Sequence, residues 1–445
     1  MIGPFPWEPF PPGEPDPKGP DPVHSVAFRA AVTAADAYHA VRLAVRRESG
    51  TLRIGNRFVP DGRYREVAFL AFGNAANSMA LGALHAVGDR LTQGFLAGPL
   101  PVSSEIPFRG VVVPPGWPGT PDANAIANAA RELAGELTEQ DLLLVLLSPG
   151  ALRALAGPPE GMTPAEFARL LENAHTAGAS GREVGLLARV LGTGGVGGRL
   201  ARASPRADVA TLIVDRGDGP AVLGGGPTRA VDPAERVEAR ALLARTGLAA
   251  EFAIPAEEPL RGASPGPTTT RAARPVVVAT PADALRAASD AVFEKGWTVR
   301  LAFLEVRDEP VAAAERFLAR SEEIYRGEAL ASDSRTKGVA SFAMATLNLP
   351  EGVDDGPALG RFLSRAGELV SRREMSVGLF RTAGALSATA SPTTPPAFPP
   401  GAVIGAATDP DVKVPAGRAR AVRMRAGITD VGCLALVLYP RPEPA

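Results

Sequence analysis

Two aspartates and a run of glycines follow one apolar segment, and together they form the pattern with the clearest chemical meaning. The segment VATLIV (209–214) predicts a buried strand. Asp215 and Asp218 follow it in VDRGDGPAVLGGGPT (214–228), which closes on Thr228. Mg²⁺ prefers oxygen ligands and keeps coordination positions open for phosphate, so two carboxylates at a strand end suit a Mg²⁺–phosphate site. An acidic turn without a ligand explains the same composition equally well.

A second candidate for ligand binding is the stretch DLLLVLLSPGALRALAGPP (141–159). Its apolar run, 142–147, is too short for a helix and ends in a Ser-Pro-Gly turn, which predicts a fully buried strand of a parallel sheet. Residues 151–156 predict the first turns of a helix. Backbone N–H groups at a helix start can bind an anion, and parallel sheets bind ligands at the carboxyl ends of their strands. This turn is therefore where we expect a ligand first.

The other motifs carry less weight. GTGGVG (192–197) fits the dinucleotide pattern G-x-G-x-x-G, but the preceding residues 181–191 predict a helix, whereas that motif must follow a strand. A glycine-rich surface loop is therefore favoured over the cofactor site of an oxidoreductase. The sequence holds neither a G-x-x-x-x-G-K-[ST] phosphate loop nor a G-x-S-x-G elbow. Its four histidines are scattered without metal-binding spacing: His24, His39, His85 and His175.

Composition narrows the class of protein. The chain has 445 residues, 45% of them hydrophobic, and a net charge of −1, so charge gives no reason to expect binding to nucleic acid or to an anionic membrane. It contains no apolar run of the roughly 20 residues that a membrane helix needs, and no secretory signal pattern. Its one cysteine, Cys433, excludes an internal disulfide and a multi-cysteine metal site. We expect a cytoplasmic protein, and composition leaves a homo-oligomer open.

Alternation of strands and helices predicts the α/β class with mainly parallel sheets. The predicted organisation has four parts: a proline-rich arm over 1–22, an α/β domain over 23–252, a linker over 253–274, and a second α/β domain over 275–445 that opens with the strand PVVVAT (275–280). Among the predicted helices are 25–48, 335–349 and 358–372.

Read in order, several segments resemble motifs of the glycerate 2-kinase family, the type with a C-terminal MOFRL domain. AFGNAANSMA (71–80) is similar to a GKAA..MA turn, and residues 141–167 are similar to DLVL.LISGGGSALL..P..G.TL.D. GGRLA (197–201) is similar to KGGRLA, and VDRGDGP and GGGPT are similar to SDV.GDDP and SGPT. The resemblance is specific over 67–248 and weaker beyond 275, where ITDVGCLALVL (428–438) is similar to a TNV-type last strand.

This resemblance implies two α/β domains with a cleft between them, and the family's reaction, the phosphorylation of D-glycerate to 2-phosphoglycerate with ATP and Mg²⁺. It implies Asp215 and Asp218 as metal ligands. It also implies the following nucleotide- and phosphate-binding residues: Gly73, Asn74, Ser148, Gly150, Gly197, Gly198, Gly226 and Thr228. Positive charge at the transferred phosphate would come from Arg189 and Arg199.

Several positions depart from the family motifs. Asn74 stands where GKAA has lysine, and Pro149 and Leu152 replace a glycine and the second serine of SGGGS. Proline removes an N–H donor, and leucine removes a hydroxyl. Two alternatives follow. The chain is an active glycerate-type kinase that recruits other cations, or it is a catalytically degenerate member that acts as a binding or regulatory protein.

Overall fold

The computed structural model describes residues 22–114, 116–120, 122–204, 206–217, 219, 223–252, 254, 275–331, 336–345, 349, 356–370, 375–381, 403–406 and 430–440. The predicted arm over 1–22, except Pro22, and almost all of the predicted linker over 253–274 lie outside these residues.

The first half of the chain alternates strands and helices. Its elements are α1 (Pro22–Ala34), α2 (Ala37–Ala44), β1 (Val45–Glu48), β2 (Thr51–Ile54), β3 (Arg57–Pro60), β4 (Glu66–Phe72), α3 (Ala76–Val87), β5 (Leu91–Gly98), β6 (Arg109–Val112), α4 (Ala123–Glu136), β7 (Asp141–Leu147), α5 (Ala151–Leu155), β8 (Ala156–Gly157), α6 (Pro164–Thr176), α7 (Gly181–Leu191), β9 (Thr193–Gly194), α8 (Arg199–Ala203), β10 (Asp208–Val214), α9 (Pro233–Thr246) and α10 (Leu248–Glu251). Short 3-10 turns lie at Asp61–Arg63, Gly88–Arg90 and Leu223–Gly225.

The second half contributes β11 (Val276–Ala279), α11 (Pro281–Glu294), β12 (Thr298–Val306), α12 (Pro310–Ala331), β13 (Gly338–Ala345), α13 (Gly356–Val370), β14 (Ser376–Arg381), β15 (Val403–Ala406) and β16 (Cys433–Pro440).

Six parallel strands form the main sheet, in the order β11-β10-β7-β4-β5-β6. β7 lies inside this sheet between β10 and β4, and all seven of its residues are buried. That position explains its unbroken apolar sequence, because a central parallel strand is covered by helices on both faces. The predicted α/β class is therefore confirmed.

A second sheet of five strands has the order β12-β13-β16-β14-β15. It is mixed, because β16 runs antiparallel to both of its neighbours while β12–β13 and β14–β15 are parallel pairs. One face of this sheet packs on α12 and α13. Its other face joins the core formed by α1, α2, α3 and α11 against the main sheet, so one continuous apolar core connects the two sheets.

The predicted domain boundary at residue 275 lies between β11 and the rest of the main sheet, to which β11 belongs. β11 pairs with β10 and forms an edge of the main sheet, so by sheet membership the second unit begins after β11. The local pattern VVVA shows a strand but not its partner, because pairing between distant strands is a tertiary property.

Two predicted helices differ from the structure, and one of them, 25–48, is helical over most of its length. The segment 25–48 contains α1, α2 and β1, because the Asp36 side chain accepts the Tyr38 N–H and begins a new helix. The segment 335–349 contains β13, which lies between β12 and β16, so sheet pairing overrides the helical preference of its alanines and Met344. The helix predicted at 358–372 is confirmed as α13, and the Thr163–Glu166 capping box begins α6.

Candidate functional site

The turns after β4 and β7 lie side by side at the carboxyl edge of the main sheet and bind each other. The Asn74 N–H donates to the Pro149 carbonyl at 2.8 Å, and the Ala75 N–H donates to Ser148 Oγ at 2.9 Å. Gly73 has φ +107°, and a Cβ there would lie 2.1 Å from the Ser148 carbonyl oxygen, so only glycine fits. The N–H groups of Asn74 and Ala75, which precede α3, are therefore bonded to the neighbouring turn.

The same edge holds a buried cation. Gly150 is left-handed (φ +92°) and begins α5, and Arg153 follows it within the first turn. The Arg153 side chain is fully buried, with 0% of its surface exposed. Its Nη2 lies 3.4 Å from Asn74 Oδ1, and Asn74 Nδ2 donates to Asp430 Oδ2 at 2.7 Å. Asp430 directly precedes the loop into β16, so this chain of contacts joins the two sheets.

A second pair of turns is bonded in the same way. The N–H of Gly197 donates to the carbonyl of Gly225 at 2.8 Å, and the N–H of Gly198 donates to the carbonyl of Gly226 at 2.9 Å. Val196 fills the space against Gly225, where an added Cβ would lie 2.4 Å from its Cγ1. These glycines allow close packing of the two turns, so the surface loop predicted over 192–197 was wrong and most of it is buried. The N–H groups of Gly197 and Gly198 are bonded within the protein.

Arg189 is held in a buried ion pair. Its Nη1 lies 3.0 Å from Glu235 Oε1 at the start of α9, and its Nη2 donates to the carbonyls of residues 229 and 230 at 3.0 and 2.7 Å. Burial lowers the pKa of Arg189 to about 10, and Glu235 offsets part of this shift. The guanidinium therefore remains a cation at neutral pH, and it positions the loop that follows Thr228.

Arg199 and Thr228 also make contacts within the protein. Arg199 Nη1 donates to the Gly192 carbonyl at 2.9 Å and to the Val196 carbonyl at 3.1 Å. Burial, and then neighbouring arginines, lower the pKa of Arg199. The Thr228 hydroxyl lies 2.8 Å from the Thr211 hydroxyl of β10. Both predicted site residues thus help to fix the glycine turns.

Asp215 lies at the end of β10 and is buried. Its Oδ1 accepts the N–H groups of Gly217 and Gly219 at 3.0 and 3.2 Å, so the carboxylate closes its own turn. Asp218 lies outside the described residues, and whether the two carboxylates share a metal stays a prediction. Within the described part of the chain, no three His, Cys, Asp or Glu side chains are grouped to hold a metal.

The described residues therefore form two groups at the carboxyl edge. Gly73, Asn74, Ser148 and Gly150 are brought together around Arg153, while Gly197, Gly198, Gly226, Thr228, Arg189 and Arg199 form the second group. Arg153 and Asp430 were not predicted. The signal for Arg153 was one charged residue in ALRAL directly after a buried strand, and the signal for Asp430 was aspartate in place of the asparagine of TNV.

Fold and site together define an α/β protein whose candidate site lies at the carboxyl ends of parallel strands. The model of the family described as a domain of unknown function, DUF4147, matches residues 24–260, more than half of the chain. The chain therefore belongs to the DUF4147 family, which is of the glycerate-kinase type.

Known relatives agree with this assignment. A glycerate kinase of Danio rerio is 30% identical over 217 residues, covering 45% of this chain and 43% of that protein. A glycerate kinase of Bos taurus is 31% identical over 198 residues, covering 41% of this chain and 37% of that protein. The chain thus matches less than half of the length of these curated relatives.

Solved structures extend the similarity of fold to nearly the whole chain. The crystal structure of glycerate kinase from Thermotoga maritima has a TM-score of 0.63 at 16% identity and covers 93% of this chain and 98% of that one. A structure from Pyrococcus horikoshii has a TM-score of 0.59 at 17% identity, with 94% and 98% covered. Among the helices that the structure describes, none is long and apolar enough to cross a membrane.

Proposed function

We propose that this chain is a glycerate-kinase-type protein that binds a small hydroxycarboxylate such as glycerate but has lost efficient phosphoryl transfer. One observation carries the proposal: the N–H groups of Asn74, Ala75, Gly197 and Gly198 all donate to other atoms of the protein. These groups lie in the turns that the family resemblance assigns to phosphate binding. An anion site at a helix start needs such N–H groups directed at the ligand.

The magnitude of the expected loss is large. Removing a single donor that stabilises developing charge costs on the order of 10²- to 10³-fold in rate. Two turns of this chain hold their donors internally, Asn74 replaces a lysine of the motif, and Pro149 has no N–H at all. The combined effect supports the loss of efficient transfer.

The proposal also depends on how well the described residues fit Mg²⁺ and ATP. Mg²⁺ would neutralise the phosphate oxygens of ATP and orient them for transfer. Asp215 can contribute a carboxylate oxygen, but its Oδ1 already accepts two backbone N–H groups. The described residues alone do not fit a nucleotide–metal pair, so we derive no transfer step from them.

A second candidate function is ATP- and Mg²⁺-dependent phosphorylation of D-glycerate, the reaction that the family resemblance implies. One observation favours it: Arg153 places a new cation beside Asn74, at the turn where the family motif has its lysine. Arg153 stands where SGGGSALL has alanine, so the charge lost at one position reappears at a neighbouring one.

An ADP-release assay with D-glycerate, ATP and Mg²⁺ tests the two functions, run with the Asp215→Ala variant and with D-glycerate calorimetry on the same samples. We expect measurable glycerate binding and no ADP release above that of the variant. ADP release that requires glycerate and disappears in the variant would overturn binding without transfer and support the second candidate. Absence of both glycerate binding and turnover would reject both functions.

A further inference from the structure

The buried guanidinium of Arg153 is the starting point. It has no exposed surface and lies on a five-residue helix whose other members are alanine and leucine. A charged group removed from water is stable only when hydrogen bonds and opposite charge compensate it. Arg153 is therefore a buried cation at the carboxyl edge of the main sheet, and an anion in its vicinity would stabilise it.

Asn74 connects Arg153 to such an anion. The amide oxygen faces Arg153 Nη2 at 3.4 Å, and the amide nitrogen donates to Asp430 Oδ2 at 2.7 Å. Arginine can only donate and an ionised carboxylate can only accept, so an amide satisfies both neighbours at once. A lysine at position 74 would satisfy Asp430 but would place a second cation beside Arg153.

Asp430 reaches this edge from the other sheet. Its carboxylate is 3% exposed and Asn74 is 4% exposed, so the contact is closed to solvent. The cavity that borders Gly73, Asn74, Asn77 and Gly98 has a volume of about 10 Å³, which is room for about one water.

We propose that Asn74 and Arg153 form a binding site for one carboxylate or phosphate group, and that the Asp430 carboxylate occupies this site as an internal competitor. This inference rests on the ligand binding proposed above. It names the residues that would bind the ligand and the residue that would limit its binding. An incoming anion takes the Asn74 donor from Asp430, which breaks the contact between the main sheet and the loop before β16. Binding and opening of this contact are therefore linked.

The test is calorimetric titration of the full chain with D-glycerate and, separately, with inorganic phosphate. Asp430→Asn removes the charge of the competitor and keeps an oxygen that can accept from Asn74. A charged acceptor binds about tenfold or more tightly than a neutral one, so we expect Asp430→Asn to tighten anion binding by about that factor. The two titrants separate a carboxylate site from a phosphate site.

Two further variants make the result specific. Asp208→Asn removes another buried carboxylate, at the opposite end of the main sheet, and should leave anion affinity unchanged. Arg153→Met in the Asp430→Asn background should abolish the gain; if that protein does not fold, Asn74→Ala in the same background makes the same test. Equal affinity in wild type and Asp430→Asn would overturn the competitor but not the proposed function, whereas no binding by any variant would overturn both.

Discussion

Replacement of Arg189 by methionine should lower stability strongly, because the structure gives this arginine a structural role. Methionine keeps much of the buried volume but removes the ion pair with Glu235 and the bonds to the carbonyls of residues 229 and 230. Breaking a buried pair typically costs about 3–5 kcal/mol. Glu235 keeps its ion pair with Arg229, so the cost here comes mainly from the two carbonyls that lose their donor and from the lost attraction to Arg189. At roughly 2–4 °C per kcal/mol for a domain of this size, the melting temperature should fall by about 6–20 °C.

Thermal unfolding followed by circular dichroism measures this change, with Arg182→Met as the matched control. Arg182 lies on the same helix, and its ion pair with Glu238 is half exposed, so its loss should cost no more than about 1 kcal/mol. A melting temperature of Arg189→Met equal to that of the control would refute the structural role and return Arg189 to the candidates for charge at the site. A double replacement with Glu235→Gln should cost less than the sum of the single changes.

Two more predictions concern the main sheet. Gly73→Ala should prevent folding or strongly destabilise the chain, because its Cβ would overlap the Ser148 carbonyl oxygen. Gly178→Ala, also at positive φ but in open space, should cost about 1 kcal/mol. Chemical denaturation compares the two variants, and similar midpoints would contradict the close packing of the turns after β4 and β7. Burial and the hydrogen bond to Asp208 raise the pKa of Tyr64 to about 12, so the unfolded chain loses this proton first and stability should fall as pH rises from about 10 to 12. Denaturation midpoints at pH 9 to 12 should show a shallower fall for Tyr64→Phe, and parallel curves for the two proteins would contradict this assignment.

Sequence patterns were sufficient to predict secondary structure wherever the local sequence of one segment determines it. The apolar run of β7, its Ser-Pro-Gly turn and the start of α5 were all predicted, and the Thr163–Glu166 capping box lies where its spacing indicated. The glycines of both turn pairs were predicted as nucleotide- and phosphate-binding residues, which stays a prediction, and the sequence could not show that the N–H groups of Gly197 and Gly198 are used internally. That outcome depends on carbonyls far away in the chain, such as Gly225 for Gly197.

The sequence by itself determined the α/β class and the family, and it predicts the turns at which a ligand would bind. Tertiary structure decided what those turns can do. Asn74 and Asp430 are 356 residues apart in the chain, and only the shared core of the two sheets brings the carboxylate to the amide. Periodicity indicates which face of a segment is buried. The partner of a buried polar group is fixed by packing between distant elements, and that packing places Asn74 between Arg153 and Asp430.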